Sequence, residues 1–189
     1  MRTFIKRCFI VAVALSAIAY ATIPAQAKPK TEEQLIAELD SPKEKVVFDA
    51  MAQLEKEYPT STAYHPKLKS LLTDNRLKIQ RKAARVLGAL HVPLSDVDLQ
   101  NICALLASDD KDAKMDGLKA LRGLKSESVI PKMIPLLQDG NPNVARDACR
   151  TLAVVGDKSV IPSIEPLLQS PDKKVQKDAQ DAIFALKNK

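Results

Sequence analysis

His65 and His91 are the only histidines in this 189-residue chain, and neither has Glu, Asp or Cys at ligand spacing. A metal centre needs three or four converging ligands, so the sequence predicts neither a metal nor a cofactor. No Gly-x-Ser-x-Gly elbow occurs, and five glycines in all make no phosphate-cradling loop. Two other sets of side chains have chemistry to offer. Cys103 and Cys149 carry thiols. Cationic residues recur in two rows, Arg81, Arg146 and Lys177 with Phe48 and Met115 in the first, and Arg85, Lys119 and Arg150 with Ala52 and Asp181 in the second. Arginine's planar fork suits carboxylates and phosphates, so the chemistry on offer is anion recognition rather than catalysis.

Whether those rows converge depends on the elements that carry them. Three residues at four-residue spacing recur five times: Val46-Ala50-Leu54, Ile79-Ala83-Leu87, Ala113-Gly117-Leu121, Val144-Ala148-Leu152 and Val175-Ala179-Ile183. Successive sets are 33, 34, 31 and 31 residues apart. Positions i, i+4 and i+8 lie close to one face of an α-helix, so each set is an inward stripe. Its middle residue is always Ala or Gly, which lets a neighbouring helix come close. A shorter apolar segment precedes each stripe, as in Met133 with Leu136-Leu137 and Ile164 with Leu167-Leu168.

Turn and capping residues separate the two segments. They are Asp40-Ser41-Pro42, Thr73-Asp74-Asn75, Ser108-Asp109-Asp110, Asp139 to Pro142 and Ser170-Pro171-Asp172. Their oxygens suit caps of the second helix, and Pro42, Pro142 and Pro171 suit its first turn. Pro131 and Pro162 suit the start of a first helix, inside which Pro135 and Pro166 each remove a hydrogen bond. Gly88 and Gly156 are expected to end second helices. The unit is helix–turn–helix, and five stacked copies bury one continuous core. The predicted fold class is all-α, an α-solenoid of about five repeats, with more polar capping helices around Glu32–Leu39 and Lys173–Leu186. The tail Lys187-Asn188-Lys189 is expected to fray.

The pattern Asp-x-x-x-x-Val-x-x-x-Ala-x-x-x-Leu from Asp139 to Leu152, with prolines early in the first helix, resembles HEAT repeats, particularly the short variety of phycobilisome-lyase-like proteins. The resemblance covers roughly residues 31–186. It implies an armadillo-type solenoid that binds other molecules. HEAT units often carry Arg directly after the stripe's first residue, whereas here that position holds Val47, Gln80, Lys114, Ala145 and Gln176. The comparison therefore implies no inter-repeat Asp–Arg ladder. Deoxyhypusine hydroxylase resembles this architecture and holds iron through His-Glu pairs, but no His-Glu dipeptide occurs here.

The repeat also sorts the thiols. Cys149 has counterparts Met51, Ala84, Leu118 and Gln180, mostly apolar, so it reads as a packed residue. Cys103 aligns with Lys69, Ile134 and Glu165, which makes it the more exposed thiol. No cysteine recurs with the period, so a structural disulfide between the two is not expected.

Residues 1–27 read as a secretory signal peptide. Arg2, Lys6 and Arg7 precede an apolar run from Phe9 to Ala21, and Ala25-Gln26-Ala27 is a small-x-small cleavage signature. The run is shorter than the roughly 20 residues that span a bilayer. Residues 28–189 then form the repeat domain of an exported protein, periplasmic in a bacterium or secreted. Without the first 27 residues, 26 basic residues face 23 acidic ones, a net charge of +3, and only Phe48, Tyr58, Tyr64 and Phe184 are aromatic. That is a weak electrostatic footprint and a poor stacking platform for nucleic acid.

Two residues beyond a stripe position is about 200° around the helix, so the two cationic rows face away from the core. Solenoid curvature places second helices on the concave surface. Phe48, Arg81, Arg85, Met115, Lys119, Arg146, Arg150 and Lys177 are accordingly the expected partner-binding residues. An acidic protein segment is the expected partner, ahead of anionic lipid headgroups or cell-wall polymers. A role as the accessory subunit of an envelope enzyme complex is a third reading.

Overall fold

Side-chain turns set the rhythm of the structure. Ser41, Asp74, Ser108, Asp139 and Ser170 each accept a hydrogen bond from the backbone N–H two residues on, at 3.2, 2.8, 3.1, 2.8 and 3.2 Å. Such a side chain mimics a backbone turn and breaks the helix before it. These five residues recur at the same intervals as the stripes. Each turn is followed by a long second helix.

The computed structural model describes residues 29–189. The signal-peptide reading for residues 1–27 lies outside them. Among the described residues there are ten α-helices and no strand. The second helices are α2 (Glu44–Glu57), α4 (Leu77–Ala89), α6 (Lys111–Leu124), α8 (Pro142–Val155) and α10 (Lys173–Lys187). The first helices are α1 (Glu32–Glu38), α3 (His65–Ser70), α5 (Asp96–Leu106), α7 (Ile130–Met133) and α9 (Ile161–Ile164). Consecutive second helices pack side by side, and each first helix packs on its own second helix. The result is the expected solenoid of five helix–turn–helix units.

Sequence explains where each helix starts. Asp110 accepts from the N–H groups of Asp112 and Ala113, Asn141 from that of Asn143, and Asp172 from those of Lys174 and Val175. Pro142 occupies the first turn of α8, whereas Pro42 and Pro171 fall one residue before the N-caps Lys43 and Asp172. Ser95 and Asp98 form a reciprocal capping box at α5. Pro131 and Pro162 open α7 and α9 as expected. Pro135 and Pro166 do more than remove one bond. The chain tightens into 3-10 segments at Ile134–Gln138 and Glu165–Gln169, so these first helices keep only one α turn each.

The stripes are buried throughout repeats two to five. In the first repeat the fully buried residue is Val47, with Val46 only half-buried. Helix α2 packs on the second helix of the following repeat, and the row Met51, Ala84, Leu118 and Cys149 on that side is buried. Gln180, the next in the row, is exposed.

Gly88 does not end its helix. It lies inside α4, and a Cβ there would stand 2.6 Å from the Cα of Ala120 and 2.7 Å from its carbonyl oxygen in α6. A Cβ on Gly123 would in turn strike the Gly88 carbonyl. The left-handed residues that close α4 and α6 are His91 (φ 52°) and Lys125 (φ 53°). Gly156 does cap α8, but in extended backbone. The C-terminal tail is tied down: Lys189 Nζ donates to the carbonyls of Val154 and Gly156 at 2.7 and 2.6 Å, and Asn188 donates to that of Phe184. Those carbonyls are orphans at the end of α8, and an ammonium satisfies them.

In an unpacked helix, Gly→Ala stabilises by up to about 1 kcal/mol. Gly88→Ala is expected to have the opposite sign, losing about 1–3 kcal/mol through overpacking against Ala120. Chemical denaturation followed by helical circular dichroism reads the sign, and a gain in stability would mean that α4 and α6 are not in contact here.

Candidate functional site

Both cationic rows sit on the outward side of the second helices, but they are not equally available. Arg81 Nε donates to Asp116 Oδ2 across the gap between α4 and α6 at 2.8 Å. Its Nη1 lies 3.4 Å from Asp110 and its Nη2 3.9 Å from Asp112. Two repeats later the arrangement recurs. Arg146 Nε donates to Asp178 Oδ2 at 2.6 Å, and Arg150 Nη2 lies 3.1 Å from the same oxygen. Asp116 and Asp178 are 7% and 9% exposed. A carboxylate so enclosed needs a cation, so Arg81 and Arg146 join repeats.

An inter-repeat Asp–Arg ladder therefore exists, contrary to the expectation from sequence. Arginine stands one position later than in the HEAT pattern, and its aspartate lies on the next second helix rather than in the turn. The usual position is used as well. Lys114 reaches Asp139, in the turn of the next repeat, at 2.6 Å. Burial pushes the Asp139 carboxyl up, but the Lys114 ammonium and the Asn141 N–H outweigh it and hold it below the usual range. Gln80 and Gln176, at the same position, donate instead to the carbonyls of Asp74 and Ser170 in their own turns. The repeated aspartates at 116, 147 and 178 were the signal for these rungs, since three acids at one register facing a helix neighbour invite cross-helix pairing.

One rung is incomplete. Asp147 is 5% exposed, and the residues of the preceding repeat at the Arg81 and Arg85 positions are Met115 and Lys119. Met115 cannot donate. Arg150 Nη1 and Arg122 Nη2 lie 3.6 and 3.9 Å from Asp147 Oδ1, and Oδ2 is buried with no hydrogen-bond partner among the described residues.

The rest of the two rows is open. Phe48 is 42% exposed, and Arg85, Lys119, Arg150 and Lys177 are exposed. Arg85 Nε approaches Asp116 Oδ1 only to 3.8 Å, and Lys119 and Lys177 form no ion pair with a described residue. Along α4 lie two adjoining hollows of about 220 and 370 Å³. Phe48, Lys78 and Asp116 line the smaller, Glu55, Gly88 and Lys119 the larger, and Lys82 and Arg85 line both. Lys82 Nζ sits 5.7 Å from the centre of the Phe48 ring and bonds Glu55 at 2.7 Å.

Elsewhere the structure supplies little reactivity. Cys149 is buried and its thiol is pushed up to about 12, mainly by desolvation and then by Asp178. Cys103 is half-buried, and burial raises its thiol too, against the pull of Lys132. Neither is in a disulfide. Among the described residues no three His, Cys, Asp or Glu side chains gather as a metal site.

Comparison with known proteins agrees with this geometry. Residues 99–183 match the HEAT repeats family. A chain from the complex of CpcE and CpcF of phycocyanin lyase from Nostoc sp. PCC7120 is similar at 25% identity and a TM-score of 0.72, over 89% of this chain and 70% of that one. An engineered protein is similar at 24% identity and TM-score 0.58, over 83% and 79% of the two chains. A designed armadillo repeat protein is similar at 21% and 0.55, over 81% of each. No curated protein matches the chain in sequence. The fold is thus a HEAT- and armadillo-type α-solenoid.

Two outcomes follow for the site. Met115→Arg supplies the missing donor to Asp147 and is expected to stabilise the fold by on the order of 1.5–3 kcal/mol, the range of a hydrogen bond to a charged group. Unfolding of the variant against wild type measures it, and a loss of stability would sink the account of the incomplete rung. Alkylation of the native protein, followed by peptide mass analysis, is expected to label Cys103 slowly and Cys149 only after unfolding.

Proposed function

We propose that this chain is an exported, non-catalytic scaffold whose second-helix face binds an acidic segment of a partner protein. The observation that carries the reading is the division within the two cationic rows. Arg81 and Arg146 are consumed in holding repeats together and Arg150 shares Asp178 with Arg146, while Arg85, Lys119 and Lys177 extend from second helices into solvent. A rigid layer that presents cations in register favours an extended anionic partner. The enclosed aspartates at 116, 147 and 178 offset much of the positive potential, which disfavours a dense phosphate polymer relative to spaced carboxylates. Export rests on the signal-like residues 1–27. No described helix is long and apolar enough to cross a membrane.

A second reading is the accessory subunit of an envelope enzyme complex. Its support is the similarity to a chain from a complex of phycocyanin lyase. Both readings need a specific protein contact, and one experiment separates them. In-cell crosslinking of wild type is compared with a variant carrying Arg85→Glu, Lys119→Glu, Arg150→Glu and Lys177→Glu, with folding checked by circular dichroism. Loss of one crosslinked protein is the expected result. Its identity as an enzyme selects the second reading, and an unchanged crosslink pattern removes this face from the function.

A further inference from the structure

Within that face, and resting on the reading above, we infer that recognition centres on the groove along α4 and that it takes an extended segment carrying an apolar residue and, two positions away, an Asp or Glu. The apolar side chain packs on Phe48 and the carboxylate sits between Arg85 and Lys119.

Three observations converge on this groove. The first is charge. At the far end of the ladder Asp178 receives Arg146 and Arg150 at 2.6 and 3.1 Å, so both guanidiniums are engaged. Along α4, Asp116 is taken by Arg81 at 2.8 Å, and Arg85 is left 3.8 Å away with its side chain 55% exposed. Lys119, across the larger hollow, has no carboxylate among the described residues. Lys82, Arg85 and Lys119 thus line the larger hollow with one carboxylate, Glu55, which Lys82 takes at 2.7 Å; a single added carboxylate between Arg85 and Lys119 completes the set with charge-assisted bonds.

The second is apolar. Phe48 occupies the register at which Arg81 and Arg146 form rungs in other repeats, and it stands 42% exposed at the mouth of the smaller hollow. Lys82, fixed by Glu55, lies on its ring, so the ring is held in place rather than free to fold away. An aromatic anchor beside a charged one is the pattern of an interface hot spot.

The third is size and spacing. Hollows of about 220 and 370 Å³ hold individual side chains. With Asp116 and Glu55 in their walls already taking Arg81 and Lys82, the hollows have cations left for one added anionic side chain rather than for a run of closely spaced phosphates. The residues of α4 that line them centre near 81 in the smaller and near 86 in the larger. Five residues of helix is about 7.5 Å, close to the roughly 6.6 Å spanned by two residues of extended chain. In an extended strand, residues i and i+2 point to the same side, so one segment reaches both hollows.

A phage-displayed library of random twelve-residue peptides, panned on the full chain, tests this. The expected result is enrichment of sequences with an apolar residue two positions from Asp or Glu. The leading peptide is then titrated against variants by fluorescence anisotropy. Phe48→Ala and Lys119→Glu, both at exposed positions, are each expected to weaken it about tenfold or more, the effect of losing one anchor of about 1.4 kcal/mol, with Lys132→Glu, exposed on the first-helix layer, near wild type. Acidic peptides that ignore Phe48→Ala and Lys119→Glu but are lost with Arg150→Glu and Lys177→Glu would overturn the groove and keep the face. Enrichment of basic peptides, or no enrichment, would overturn the acidic-partner reading itself. A twelve-nucleotide oligothymidine or phosphatidylglycerol vesicles binding more tightly than the peptide in the same buffer would overturn the partner's class.

Discussion

A carboxylate enclosed between two helices must be met by a cation, and that requirement fixes how one repeat sits on the next. Apolar burial alone is non-directional and would tolerate sliding of one second helix along another. An arginine on a buried aspartate does not, because the Nε of Arg81 or Arg146 must meet one carboxylate oxygen of the next helix at hydrogen-bond distance. Arg81 with Asp116 and Arg146 with Asp178 therefore act as registration pins between adjacent units. A buried pair adds little net stability over an apolar pair, but removing one partner strands the other at a cost of about 3–5 kcal/mol. The same arginines are consequently poor candidates for exchange between partners, and recognition falls to their exposed neighbours.

The two helices of each unit divide the structural labour. The first helices tolerate interruption, since Pro135 and Pro166 convert half of α7 and α9's segments into 3-10 turns while Leu136 and Leu137 stay buried and Leu167 and Leu168 half-buried. Second helices are uniform in length and carry the small residues that let α4 and α6 touch backbone to backbone at Gly88 and Gly123. Regular second helices are what a periodic binding face requires. Irregularity is confined to the other layer.

Stripe burial was legible in sequence because it depends on spacing within one helix. The helix–turn–helix unit and the partial exposure of Cys103 followed from the same periodicity. What escaped depends on residues a repeat away. Gly88 read as a helix end, yet its constraint comes from Ala120. The HEAT pattern puts arginine directly after the stripe's first residue, whereas here it stands one position later, and the acids that receive Arg81 and Arg146 lie 35 and 32 residues further on. The rows themselves were visible, but whether a cation in them is free depends on the following repeat's carboxylates. The tail looked like a loose polar end until the unsatisfied carbonyls of α8 gave Lys189 something to hold.

The last two units share a proline break at the same place, a side-chain turn at the same place and an interval of 31 residues, shorter than the 33 and 34 before them. They repeat one unit closely, from Val129-Ile130-Pro131 to Gln138 and from Val160-Ile161-Pro162 to Gln169. Because each unit packs on its neighbours in the row, the groove along α4 is modular, and a change in the number of these closely matched units alters the reach of the face while leaving that groove intact.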